Sequence, residues 1–207
     1  MRIIPDGIYY ACALTLVGLA IGYWLTPWAG VPFYIFAAFC LYFFRDPERV
    51  PPSGDVIIAP ADGKVAGVRE ISPGETRVSI FLNIFDVHVN RTPIPGTITE
   101  VVYQKGKFIN ASHEAASLEN EQNTLVVEGG GTRVVCRQIA GLIARRIVCY
   151  KHAGDEVAPA ERIGYIRFGS RVDVLFGSEW RTAVKMGDRV RAGTSVLAGR
   201  VNDREAI

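Results

Sequence analysis

The sequence has few of the features that mark metal-binding, disulfide-rich or nucleic-acid-binding proteins. Its 207 residues include three histidines and four cysteines, and the cysteines are widely spaced: Cys12, Cys40, Cys136 and Cys149. This spacing fits neither a zinc site nor a redox pair, so we expect small buried thiols in a reducing compartment and no metal. The formal net charge is only +2, and no clustered basic stripe predicts nucleic acid as a partner.

The sequence is instead rich in apolar residues, which make up 49% of the chain. Gly7–Phe44 contains no charged residue, and turn-forming residues around Gly30 interrupt this run. The two parts, Gly7–Leu25 and Trp28–Phe44, predict two helices. The first is long enough to cross a bilayer, and the second is near the lower limit. We therefore predict a transmembrane helical hairpin over residues 1–44.

A cleaved signal peptide and a buried core hairpin are the other interpretations of this apolar run. A signal peptide has a shorter apolar stretch, usually followed by a small-residue cleavage site. The flanking charges give the orientation, because Arg2 precedes the run and Arg45 and Arg49 follow it. The positive-inside rule then places both ends, and the rest of the chain, on the cytoplasmic side of the cell membrane.

The remainder of the chain has the pattern of a mainly β protein. Residues 45–54 contain three prolines and a glycine, which predicts an extended linker. Residues 55–207 alternate short β-rich runs with turn residues, which is typical of a β-sandwich or a partly open barrel. The predicted strands are Asp55–Ala59, Lys64–Val68, Arg77–Leu82, Thr97–Tyr103, Thr124–Glu128, Thr132–Ile139, Ile147–Tyr150, Ile163–Phe168 and Val172–Phe176. The one clear helical candidate in this part is Ser112–Leu118.

Two segments near the end of the chain resemble each other. His152–Ala160 and Lys185–Gly193 share a Gly-Asp-x-Val element followed by a turn of small residues. The pattern looks like the hairpins of lipoyl- and biotinyl-carrier domains. A carrier needs a lysine at the exposed tip, whereas Lys185 precedes the motif. The repeat therefore predicts lipoyl-like hairpins in the fold and hardly supports a carrier function.

Gly169 and Ser170 interrupt a strand-like run, Tyr165–Val174. A glycine inside a strand commonly marks a bulge, which is the simpler interpretation. The alternative is self-cleavage, in which Ser170 Oγ attacks the Gly169 carbonyl and replaces the amide by an ester. Glycine favours this step because it lacks a Cβ and tolerates strained backbone. Elimination of the ester leaves dehydroalanine, which hydrolyses to a pyruvoyl group.

Five motifs follow one another along the chain: Phe43–Pro47, Ala59–Val65, Phe85–Arg91, Ser117–Glu121 and Arg167–Asp173. This succession resembles the short form of phosphatidylserine decarboxylase over nearly the full length. The resemblance implies that the chain cuts itself and that its products stay together as a heterodimer. It also implies a covalent pyruvoyl cofactor that forms a Schiff base with the amine of phosphatidylserine, a membrane lipid. The product is phosphatidylethanolamine.

The resemblance places the cut between Gly169 and Ser170. Phe-Gly-Ser occurs a second time, ending at Ser178, but there it is followed by Glu-Trp-Arg. Only Ser170 stands in the family's context, Arg-x-Gly-Ser-Arg-Val-Asp. Cleavage there divides the predicted domain of residues 55–207 and yields a β chain of residues 1–169 and an α chain of residues 170–207.

The same resemblance implies that His88 is the general acid/base and that Asp62 belongs to the site. In the long form of the family a second histidine completes a Ser-His-Asp relay, and Arg91 occupies its place here. Either His88 therefore serves both steps, or strain at Gly169 drives cleavage. Asp62 could orient a histidine, pair with Arg91 or form an ordinary Asp-Gly turn.

Arginine suits the phosphate of the substrate because it can donate two parallel hydrogen bonds. By their location, Arg91 and Arg167 are the candidates for this contact. The basic pair at residues 145–146 could face anionic headgroups or merely be solvated. His113 lies in a polar stretch and is predicted to be exposed, and His152 is predicted to be a loop residue, although neither is excluded from the site.

Three functions are compatible with these observations. The first is a decarboxylase of phosphatidylserine, and the second is a pyruvoyl enzyme that acts on another amine-bearing acid. The third is a membrane-tethered, non-catalytic carrier or adaptor with lipoyl-like hairpins. The apolar hairpin argues against a small soluble substrate, and the sequence does not indicate a higher oligomeric state.

Overall fold

The computed structural model describes residues 1–109, 119–142, 146–167 and 169–201. The predicted helix Ser112–Leu118 lies outside these residues. The chain forms two compact units, Met1–Glu48 and Arg49 onward. The predicted mainly β character is confirmed, and the predicted bounds of the domains and of the cleaved chains stay predictions.

The first unit is built around two apolar helices. Its elements in chain order are β1 (Arg2–Ile3), α1 (Pro5–Trp24), a short 3₁₀ helix (Pro27–Gly30), α2 (Val31–Phe43) and β2 (Arg45–Asp46). A proline stands in the first turn of each helix, where its missing N–H costs nothing. β1 and β2 pair antiparallel and join the two ends of the unit. Within the described residues, α1 is the helix with the length and apolarity to cross a membrane, and α2 is shorter.

The second unit consists of a curled half-barrel sheet with two smaller sheets. Its strands are β3 (Val56–Ile58), β4 (Gly63–Ser72), β5 (Glu75–Leu82), β6 (Val89–Arg91), β7 (Gly96–Gln104), β8 (Gln122–Gly129), β9 (Thr132–Ile139), β10 (Ile147–Cys149), β11 (Glu156–Val157), β12 (Arg162–Ile166), β13 (Ser170–Gly177), β14 (Trp180–Thr182), β15 (Arg189–Val190) and β16 (Val196–Arg200). The large sheet has the order β11-β7-β8-β9-β13-β5-β4-β15, and the small sheets are β10-β12-β6 and β14-β16-β3.

β13 lies inside the large sheet, between β5 and β9, and pairs antiparallel with both. Val172, Val174 and Phe176 alternate along β13 and enter the main hydrophobic core. Side chains alternate between the two faces of a strand, so Ser170 belongs to this inner face and Arg171 and Asp173 to the outer one. Because β13 is buried on both faces, the first residue of this strand is already inside the protein.

The repeated segments adopt the same turn, but the prediction of lipoyl-like hairpins is not confirmed. Asp155 Oδ2 accepts the His152 N–H at 2.9 Å, and Asp188 Oδ2 accepts the Lys185 N–H at the same distance. The short strand after each turn pairs with a strand distant in sequence: β11 with β7, and β15 with β4. Each repeat therefore closes one end of the large sheet and does not form a local hairpin.

Candidate active site

Ser170 is the first residue of β13 and has no exposed surface. It pairs with Leu82 at the end of β5, while pairing with β9 begins one residue later, at Arg171. Its Oγ has no hydrogen-bond partner within the described residues. An unsatisfied buried hydroxyl costs about 1–3 kcal/mol, so the fold gains nothing from holding a serine in this position.

Gly169 precedes this serine with a φ of +61°, in the left-handed region that glycine tolerates best. A Cβ built on Gly169 would meet nothing within 4 Å. The glycine is therefore required by its backbone conformation and not by crowding. Its carbonyl carbon is bonded to the nitrogen of Ser170, so the bond predicted to break joins a left-handed glycine to a buried serine.

His88 is held just before β6 and is only 2% exposed. Its Nδ1 lies 2.9 Å from the carbonyl oxygen of Asp86. Since a carbonyl oxygen only accepts, Nδ1 carries the proton in the neutral ring and Nε2 is the basic nitrogen. The His88 carbonyl accepts the N–H of Ile166 at 3.3 Å, which places this histidine beside the end of β12, shortly before Ser170 in the chain.

The loop that presents His88 is fixed by Asp86. Its carboxylate accepts the Asn83 N–H at 3.0 Å and a hydrogen bond from Arg189 of β15 at 2.9 Å. The Asp86 N–H in turn donates to the Asn83 carbonyl at 3.0 Å. These bonds make a tight turn directly after β5, the strand that pairs with Ser170.

Asp62 immediately precedes β4, at the end of the large sheet where β5 stops. Its carboxylate pairs with Arg49 at 2.9 Å and accepts the Ala192 N–H at 2.7 Å. Burial raises the pKa of Asp62, while Arg49 and the Ala192 N–H oppose this shift. Of the three alternatives for Asp62, the ion pair is made with Arg49 and not with Arg91. The predicted catalytic role of Asp62 stays a prediction.

Arg91 is buried in β6, where its guanidinium donates to the Ala160 carbonyl at 3.0 Å. Successive residues of a strand point to opposite sides, so Arg91 and Asn90 face different ways. His88 and Asn90 share one side and Arg91 takes the other. The role of Arg91 as a phosphate ligand stays a prediction.

The remaining candidates are spread over the molecule. Arg167 is half-buried after β12, and its N–H donates to the carbonyl of the exposed Arg146 at 3.2 Å. His152 lies in the first repeated turn, with its side chain 87% exposed. His113, Arg145 and Phe168 lie outside the described residues. Within the described residues, no group of three or more His, Cys, Asp or Glu side chains could hold a metal ion.

Sequence reasoning missed a chain of three buried amides that crosses the core. Asn123 Nδ2 donates to Gln138 Oε1 at 2.9 Å, and Gln138 Nε2 donates to Asn90 Oδ1 at 2.8 Å. None of the three is more than 2% exposed. Gln138 pairs with Val172, two residues after Ser170 on the same face of β13. Only their polarity within apolar strands distinguished these residues in the sequence.

A buried ion pair supports β13 from its outer face. Arg171 Nε donates to Asp173 Oδ1 at 2.6 Å, and its guanidinium also reaches Ser79 Oγ at 2.9 Å. Asp173 has no exposed surface. Two alternate residues of one strand are thus bonded to each other and to β5, which fixes the strand directly after Ser170.

The residues around Ser170 fit the formation of a pyruvoyl group. The hydroxyl is buried without a partner in the described part of the chain, and the glycine before it has a left-handed backbone. His88, with Nε2 as its basic nitrogen, lies directly before β6 and beside the end of β12. This arrangement offers a nucleophile, an open carbonyl and a proton carrier in a space that excludes bulk water.

Comparisons with known proteins agree with this arrangement. The sequence model of the phosphatidylserine decarboxylase family matches residues 36–198. A protein of Solibacter usitatus (strain Ellin6076) named phosphatidylserine decarboxylase proenzyme is 54% identical over 202 residues, covering 98% of each chain. A protein of Magnetococcus marinus with the same name is 45% identical over 181 residues, covering 84% of this chain and 83% of that protein.

These matches cover both the segment that carries His88 and the segment that carries Ser170, and the two relatives are named as precursors of a decarboxylase. The resemblance inferred from the five sequence motifs is confirmed, and the chain belongs to the phosphatidylserine decarboxylase family.

Proposed function

We propose that this protein cuts itself between Gly169 and Ser170 and then decarboxylates phosphatidylserine to phosphatidylethanolamine. The single observation that carries the proposal is the buried Ser170 hydroxyl, which has no partner in the described part of the chain and follows a glycine with φ +61°. Two relatives named phosphatidylserine decarboxylase proenzyme support both the processing and the substrate.

Self-cleavage begins when Ser170 Oγ attacks the Gly169 carbonyl carbon. A new C–O bond forms, the C–N bond breaks, and the hydroxyl proton passes to the departing nitrogen. Elimination of the resulting ester separates residues 1–169 from 170–207, and hydrolysis of the remaining enamine releases ammonia. A pyruvoyl group at position 170 would supply a ketone that is electrophilic toward the substrate amine and that can withdraw electrons during decarboxylation.

The chain's own residues then have two tasks. His88 moves a proton at Nε2, which its contact with Asp86 leaves as the basic nitrogen of the neutral ring. Buried apolar residues around β13 exclude water from the reacting atoms. The phosphate contact is assigned to arginine, with the half-buried Arg167 and the buried Arg91 as the two candidates.

We also propose that the helical hairpin formed by α1 and α2 holds the protein in the cell membrane, with both of its ends and the β-rich unit on the cytoplasmic side. α1 has the length and apolarity to cross a bilayer, and 17% of its apolar window is buried. The charges on both sides of the apolar run favour this orientation.

The two cleavage products stay together because β13 remains paired with β5 and β9 after the cut.

The test uses purified full-length protein with vesicles that contain phosphatidylserine, and it measures carbon dioxide and phosphatidylethanolamine. We expect Ser170→Ala to abolish both products. Ser178→Ala is the matched control, because Ser178 is exposed and ends the other Phe-Gly-Ser sequence. Activity in Ser170→Ala would contradict the proposal.

Two further measurements separate the alternatives. If the wild type cleaves but releases carbon dioxide only from soluble amine-bearing acids, the protein is a pyruvoyl enzyme with another substrate. If it neither cleaves nor releases carbon dioxide, a non-catalytic adaptor becomes the better interpretation. Residues 153–159 and 186–192, which form the two repeated turns, contain no lysine. A lipoyl-type carrier would therefore have no attachment point in either turn.

A further inference from the structure

The amide chain Asn123–Gln138–Asn90 ends on a donor next to the cleavage site. Each member donates to the next, and the last amide nitrogen, Asn90 Nδ2, has no partner within the described residues. Asn90 has no exposed surface, so bulk solvent does not reach its side chain. A buried amide donor without an acceptor costs about 1–3 kcal/mol, which a purely structural residue would not retain.

The registers of the strands place Asn90 near the bond that breaks. Asn90 Oδ1 accepts a hydrogen bond from Gln138, and Gln138 pairs with Val172 of β13. Ser170 is two residues before Val172 and lies on the same inner face of this strand. Two residues of a strand span roughly 7 Å. On the other side Asn90 pairs with Gly164 of β12, the strand that leads to Gly169. The Ser170 hydroxyl and the Asn90 amide donor, both buried without a partner in the described residues, therefore lie in the same part of the core.

We propose that Asn90 is the oxyanion donor of self-cleavage. When Ser170 Oγ attacks, the carbonyl oxygen of Gly169 takes the negative charge, and Asn90 Nδ2 donates a hydrogen bond to it. Gln138 is a positioning residue, because its Nε2 bond to Asn90 Oδ1 turns the Asn90 nitrogen toward the site. Asn123 orients Gln138 in the same way. This inference rests on the proposed self-cleavage and assigns it a donor that the sequence motifs do not identify.

The first variant is Asn90→Asp, which keeps the acceptor for Gln138 and removes the donor. Loss of an oxyanion donor slows a reaction by about 10²–10³-fold. We expect a loss of this size at pH 8 in the rate at which the fragment of residues 170–207 forms, measured by intact mass. The rate should recover as the pH falls toward 5, because a protonated carboxyl group donates again. A merely structural defect would not reverse in this way.

Asn120→Asp is the matched control. Asn120 is also fully buried, but its amide bonds the backbone of Ile109 and Ala140 at 2.7–2.9 Å. We expect this variant to lose more thermal stability than Asn90→Asp and still to cleave at close to the wild-type rate. The opposite pattern, with cleavage following stability in both variants, would overturn the proposal.

Gln138→Glu keeps Asn90 and removes the donor that orients it, so it tests the proposal even if Asn90→Asp does not fold. The Asn90 amide then turns its nitrogen toward the new carboxylate, and we expect cleavage to slow at least tenfold. Wild-type cleavage in this variant or in folded Asn90→Asp would refute the role of Asn90 while leaving the proposed function intact. Absence of cleavage in the wild type would instead refute the proposed function.

Discussion

Ala160 and Gly193 occupy equivalent places after the two repeated turns, and both have a left-handed backbone, with φ of +56° and +74°. Ala160 is the one non-glycine residue with positive φ among those described. A Cβ on Gly193 would lie 2.9 Å from Arg91 Cδ and 3.1 Å from Ala160 Cβ. Gly193 therefore allows the tight contact that holds Arg91 between the two turns.

We predict that Gly193→Ala destabilises the fold by about 1–2 kcal/mol through its backbone alone, with a further cost from the contact with Arg91. Thermal unfolding should show a lower midpoint. Gly67→Ala is the control, since Gly67 has no positive φ and a Cβ there would meet nothing within 4 Å. An equal effect of both substitutions would show that the position has no special requirement.

We predict that His88→Asn lowers the rate of decarboxylation by about 10²–10⁴-fold, because it keeps a donor for the Asp86 carbonyl and loses the basic nitrogen. The rate is measured per molecule of cleaved protein, so that a defect in processing does not enter. An unchanged rate would mean that another group carries the proton.

At the scale of elements, each of the two repeats adds a short outermost strand, β11 or β15, to the large sheet. Glu161 stabilises the first repeat by accepting hydrogen bonds from Lys151 Nζ at 2.5 Å and from the Ala158 N–H at 2.8 Å. The hydrogen bond from Lys151 is the main cause that lowers the pKa of Glu161, and the Ala158 N–H adds to it.

A lowered pKa means that the ionised Glu161 stabilises the fold above the ordinary carboxyl pKa and that this contribution is lost as the pH falls through the lowered value. We predict that Glu161→Gln reduces the free energy of unfolding at pH 7 by up to about 1 kcal/mol, because the pair is partly exposed. The deficit should shrink in urea titrations below pH 4.5. Glu156→Gln, on an exposed side chain of β11, is the control for the loss of a carboxylate in the same region.

The sequence predicts local elements well and distant partners poorly. Thr132–Ile139 is a strand with the predicted bounds because a run of three glycines marks the turn before it and its valines favour a strand. β6 was missed, since Val-Asn-Arg has no strand pattern and is held by pairing with β12. Asn90 and Gln138 are far apart in the sequence, so no spacing revealed their bond. Ser170 was identified by motif, but its burial and its lack of a partner in the described residues required the fold.

At the scale of the whole molecule, the chain joins an apolar unit to a β unit that has its own core. The main core cluster consists only of residues from Ile57 onward. We predict that a chain lacking residues 1–48 still folds and cleaves itself, and that it no longer floats with vesicles in a density gradient. Continued flotation would place the membrane contact in the β unit.

The central claim is that Ser170 ceases to be a serine. Intact mass of the purified wild-type protein under denaturing conditions tests this claim most directly, together with reaction of the new N-terminus with a carbonyl reagent. We predict two masses, for residues 1–169 and for residues 170–207 beginning with a pyruvoyl group. A single full-length mass in active protein, with an ordinary serine at position 170, would contradict the account.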